Sequence, residues 1–121
     1  MRYIFLIYSH EDAMARASAA DMEVVRQAHA SVMADAERKG VLFGAQPLEP
    51  TGTATLVRME GTKPMIVDGP YAETKEQLAG YYILECKDLD DAIAWAARIP
   101  TACQGGEGCI EIRPLRQFPP R

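Results

Sequence analysis

His29 is the residue whose type and setting point most directly to chemistry. It stands in a run where Met22, Val25, His29, Val32 and Ala36 recur at steps of four, four, three and four, which places them on one stripe of an α-helix. An imidazole titrates near neutrality, so on an apolar stripe it can exchange a proton with a ligand. Buried and neutral, it needs hydrogen-bond partners for both ring nitrogens, and Val25 and Val32 offer none. Glu11 and Asp12 follow the first strand-like run, and packing of that strand on the helix would let one of them reach the imidazole. For His29 the plainer alternative is a packed histidine at the helix edge, bonded to a backbone carbonyl. His10, at the end of the same strand, is a second imidazole that can serve in its place or stay a solvated loop residue.

Other chemistry-bearing groups cluster later. In Asp68-Gly69-Pro70 the carboxylate can accept from nearby backbone amides, glycine supplies an unusual dihedral and proline fixes the following turn. The next residues, Glu73, Thr74, Lys75 and Glu76, are rich in charge and donors, and a loop of that content can line a pocket. Tyr3, Phe5, Tyr81 and Tyr82 can wall a pocket for a planar ligand, although aromatics in strands more often form core or dimer contacts. Asp68, Glu73, Lys75 and Tyr82 are therefore the candidate ligand-binding residues. Cys103 and Cys109 lie near glycines but lack the four closely spaced ligands of a zinc site. There is no phosphate-cradling GxxxxGK[ST] and no dinucleotide GxGxxG. We expect no metal and no cofactor.

The elements that must position these residues follow from pattern. The 121 residues suit one domain, residues 1–121. Met1 to Tyr8 is a continuous apolar run, the mark of a central strand. His10 to Ala17 reads as a loop or short helical turn. Ser18, with Asp21 three residues on, caps a helix starting near Ala19, and Gly40 supplies its left-handed stop. Val41 to Ala45 is a strand and Pro47 to Gly52 a loop. Thr53 to Met59 and Pro64 to Val67 form a hairpin about Glu60-Gly61-Thr62-Lys63. Ala79 to Cys86 is a strand. Asp88 caps a second helix to about Arg98, whose apolar face is Leu89, Ala92, Ile93 and Ala96. Cys109 to Pro114 alternates as a closing strand. This order predicts an α+β, ferredoxin-like βαββαβ sandwich with an inserted β-hairpin. Two helices cover one sheet face only, so the other predicts a twofold homodimer.

Residues 68–82, DGPYAETKEQLAGYY, resemble the signature of the DGPF group within the YCII-related proteins. The MRYIFLIY opening, Lys39-Gly40-Val41-Leu42, LDDAIAWAA at 89–97 and EIRP at 111–114 extend the resemblance over nearly the whole chain. Tyr71 stands where the motif has Phe, and Ala79 where a second glycine is common. The resemblance implies a dimer of the α/β-barrel type. It also implies a histidine on the first helix, here His29, paired with an acidic residue after the first strand, here Glu11 or Asp12. One branch of the wider group eliminates chloride from a chlorinated aromatic ring, and some DGPF proteins are encoded beside sigma factors.

Thirteen basic against seventeen acidic residues give a net charge of −4, no footprint for nucleic acid or anionic lipid. No apolar run approaches the about 20 residues of a membrane helix, and the three cysteines suggest no secretory route. We therefore expect a cytoplasmic protein with a small-molecule ligand. Two functions fit: a cofactor-independent lyase or isomerase using the His–carboxylate pair, or a non-catalytic ligand-sensing or protein-interaction module linked to sigma-factor regulation.

Overall fold

A computed structural model of the chain describes residues 1–68, 76–101 and 108–117. Strands β1 (Arg2–Ser9), β2 (Leu42–Pro47), β5 (Gln77–Glu85) and β6 (Gly108–Pro114) form an antiparallel sheet in the order β2-β5-β1-β6. Helices α1 (Glu11–Ala15) and α2 (Ala19–Arg38) connect β1 to β2, and α3 (Leu89–Ala96) connects β5 to β6. A 3₁₀ turn, Thr51–Thr53, precedes a separate two-stranded sheet of β3 (Thr55–Glu60) and β4 (Lys63–Asp68). This α+β arrangement is consistent with a ferredoxin-like fold carrying an inserted hairpin. Among the described residues no helix is long and apolar enough to cross a membrane.

Local chemistry explains most element ends. The Ser18 side chain accepts from the Asp21 amide at 3.0 Å and opens α2. At its other end Gly40, at φ +70°, lets its amide reach Glu37 O and the Val41 amide reach Ala36 O, a Schellman closure. Asp88 caps α3 through the Asp91 amide at 2.8 Å. Gly61, at φ +64°, is the first of the two residues turning β3 into β4, where a type II′ hairpin needs positive φ. The predicted turn at Gly69 lies outside the described residues.

The core sits between the sheet and the helices. Tyr3, Phe5 and Ile7 of β1 and Tyr82 and Leu84 of β5 face it from the sheet. Val32 and Ala36 close it from α2, and Ala92, Trp95 and Ile99 from the α3 side. Burying a side chain such as Leu84 fully is worth about 1.5–3 kcal/mol. The α3 face expected from sequence needs correction: Leu89 and Ile93 are about half exposed, and Trp95 is buried in their stead. The stripe that wins is 92, 95, 99, which brings the largest apolar surface inward. Asp35 on α2 then fastens this layer by accepting from Arg98 Nη1 at 2.6 Å, with Arg38 and Lys39 beside it. Arg98 and Lys39 in turn lie over the Trp95 ring.

Two close approaches shape the sheet. A Cβ on Gly80 would lie 2.8 Å from Gln46 O, so only glycine lets β2 pair with β5 at this point. A bulge between Ile7 and Tyr8 falls opposite the same stretch. The hairpin, by contrast, packs little: along β4 every residue is exposed, including Met65, Ile66 and Val67.

Candidate functional site

The capped run from Ser18 to Gly40 holds α2 in one register, and that register decides what the helix offers. Its C-terminal half meets the core through Val32 and Ala36, whereas Val25 is only half-buried and Met22 is exposed. The stripe continues, but in its N-terminal half it faces a cavity of about 810 Å³ instead of packed side chains. The cavity lies between α2, α1, the inner face of β1 and β5, and the segment from Ala45 to Pro50. Its wall is mostly apolar, with three methionines among the lining residues: Met14, Met22 and Met33.

His29 lines this cavity, half-buried, on the strip between packed core and open space. Its Nδ1 lies 2.7 Å from the hydroxyl of Tyr82, and the two rings are nearly parallel with centroids 5.9 Å apart. Tyr82 reaches it because β5 pairs with β1 in a register that sets Tyr82 opposite Phe5, on the inner face. Burial pushes the Tyr82 phenol up to about 12, so it keeps its proton. Burial also holds the His29 pKa below its ordinary value, which leaves the ring neutral near pH 7.

This pair can hold two proton arrangements. With the phenol donating, Nδ1 accepts and Nε2 carries the ring proton; with the tautomer reversed, Nδ1–H donates to the phenolic oxygen and Nε2 is a base. Among the described residues Nε2 has no hydrogen-bond partner, so either form is available to a molecule in the cavity.

Glu11 also lines the cavity, but its carboxylate is engaged elsewhere. Oε1 accepts from the Thr51 amide at 2.7 Å and Oε2 from the Thr51 hydroxyl at 2.9 Å. The Glu11 amide donates to Gln77 Oε1 at 3.0 Å. These bonds tie α1 to the 3₁₀ turn and to the start of β5 across the cavity rim. Asp12 is exposed and away from the cavity. His10 caps α1, its Nδ1 accepting from the Ala13 amide at 3.2 Å. The hydrogen bond to His29 thus comes from a tyrosine, where sequence reasoning had looked to a carboxylate.

Of the ligand-contact candidates, Tyr82 lines the cavity, Asp68 ends the exposed hairpin away from it, and Glu73 and Lys75 lie outside the described residues. Sequence reasoning missed Thr51 and Ser9. Ser9, buried on the cavity wall, donates to Thr101 O at 2.6 Å. Its inward position on β1 is a period-two signal that could have marked it, since a hydroxyl among inward apolar residues stands out. Among the described residues no group of His, Cys, Asp and Glu is arranged to hold a metal ion.

The YCII-related domain family matches residues 1–119, nearly the whole fold just described. The chain belongs to the YCII-related family. An uncharacterized protein of Rhizobium meliloti (strain 1021) is similar at 33% identity over 120 residues, which cover 99% of this chain and 96% of that protein. The YCII-related match includes β1, α1, α2 and β5, so every element that builds the cavity falls within it.

Proposed function

We propose that this YCII-related chain binds a small organic molecule in the cavity beside α2 and exchanges a proton with it through His29. The observation that carries the reading is the 2.7 Å contact of His29 with Tyr82 on the wall of a largely apolar cavity. Cavities of about 300–1,000 Å³ with few convergent polar groups are the usual form of small-molecule sites. A neutral imidazole with one nitrogen held by a phenol suits general acid–base work, and a cofactor-independent lyase or isomerase is the reaction class that such a pair serves. Glu11 acts in this reading as the group that holds the rim, through Thr51.

The motif at 68–82 supports membership in the DGPF group, the length supports a single domain over 1–121, and the cysteine usage supports a cytoplasmic setting. Exposed Phe43 beside the half-buried outer sheet face, together with the apolar hairpin, supports a twofold dimer of the α/β-barrel type. The same hairpin favours a second reading, a ligand-sensing module that contacts another protein such as a sigma factor.

Metabolites that co-purify with the chain, identified by mass spectrometry, supply the assay compound. The His29→Ala variant should fold and bind that compound but lose turnover. Unchanged turnover in His29→Ala removes the acid–base role, and binding without turnover in the unaltered protein favours the sensing module.

A further inference from the structure

The charges around the cavity are unevenly available. Glu11, Glu49 and Arg26 are the ionic side chains that line it, apart from the neutral His29. Arg26 is exposed and already committed: its Nε donates to Glu23 Oε2 at 2.8 Å. Glu11 has both oxygens accepting from Thr51, and Glu49 is exposed on the Pro47–Pro50 segment. Among the described residues, therefore, the ionic groups on the wall are two carboxylates and one arginine, and that arginine is paired with Glu23. An anion entering would lose water, meet the charges of Glu11 and Glu49, and find as counter-charge among the described residues an arginine already paired. What the wall offers a neutral polar group is the Nε2 of His29, which has no hydrogen-bond partner among the described residues and is set among methionine, valine and proline. Methionine side chains adapt to irregular shapes, so this wall discriminates more by polarity than by outline.

We infer that the cavity selects a neutral, largely apolar molecule bearing one hydroxyl or carbonyl group, which bonds His29 Nε2, and that it rejects anions of the same size. The inference rests on the reading of this cavity as a ligand site.

A matched probe set on the full chain near neutral pH tests it: 2-naphthol, naphthalene and 2-naphthoate, titrated by fluorescence or calorimetry. 2-Naphthol should bind more tightly than the naphthoate by about tenfold or more. Its margin over naphthalene should vanish in His29→Leu, which has no hydrogen-bonding group, while naphthalene itself binds as before. Val25→Trp, which fills the cavity beside His29, should weaken all three probes.

The outcomes separate the two levels of the argument. Equal or tighter binding of the naphthoate overturns the charge selection and leaves the ligand site standing. A margin over naphthalene that survives His29→Leu overturns the hydroxyl contact. If no probe binds, or if Val25→Trp changes nothing, the ligand-site reading falls and the selectivity falls with it.

Discussion

The Nδ1 of His29 and the hydroxyl of Tyr82 meet at 2.7 Å although 53 positions separate them in the chain. One residue sits on a helix whose caps set its rotation, the other on a strand whose pairing sets its facing. Tyr82→Phe keeps the ring and removes the bond. It should leave the fold intact and cost about 1–2 kcal/mol by urea unfolding, because a half-buried ring nitrogen loses its partner. Nitrogen NMR shifts of His29 should also change, since the phenol no longer biases the tautomer. A wild-type stability and an unchanged spectrum would show the contact to be without consequence.

Acid should weaken the protein through His29. Burial lowers its native pKa, so below the ordinary histidine value of about 6.5 the unfolded chain takes up the proton more readily than the native one. Stability therefore rises with pH across that window and is lost as pH falls from about 6.5 toward the native value. His29→Gln should show a flatter urea midpoint between about pH 7 and pH 5.5. Parallel profiles for the two proteins would count against this assignment.

Gly80→Ala should be among the costlier single-methyl changes in the sheet. The new Cβ would lie 2.8 Å from Gln46 O and 3.2 Å from Pro47 Cα, both backbone atoms with little room to move. We expect a loss of about 1–3 kcal/mol. Because Gln46, Pro47 and Gly80 all line the cavity, ligand binding should weaken in the same variant. A denaturation midpoint equal to wild type would mean that β2 shifts freely.

The β3–β4 hairpin should matter to assembly more than to the fold of one chain. An isolated two-stranded hairpin is marginal in water, and Val57, Met59 and Ile66 here are each more than half exposed. Light scattering should return twice the chain mass for the unaltered protein, and Met59→Lys with Ile66→Lys should reduce it to a single chain without unfolding the core. A monomer at micromolar concentration from the start would remove the dimer.

What could be read from the residues alone was whatever is decided locally. The span of α2 follows from Ser18 and Gly40, and the hairpin from Gly61, because caps and tight turns are made by neighbours in sequence. The apolar face of α3 was misjudged because two stripes overlap on a short helix, and only the sheet beneath decides that Trp95 turns inward instead of Leu89 and Ile93. The choice between Glu11 and Asp12 was beyond pattern for a similar reason. Neighbouring helical residues differ by about 100° in direction, so one faces the cavity and the other solvent. Nor does any local signal announce that Glu11 bonds Thr51, a residue 40 positions away.

The strand order has a consequence for how the chain is made. β1 is flanked by β5 and β6, with Arg2 opposite Glu85 and Tyr3 opposite Pro114. During synthesis β1, made before its neighbours, thus has no sheet partner until β5 has been added. Its apolar run, Tyr3 to Tyr8, must wait unpaired, and closing such distant contacts slows folding. A nascent chain arrested before β5 would present that run to chaperones or to other copies of itself, whereas one arrested after β5 would leave only the β6 side of β1 open.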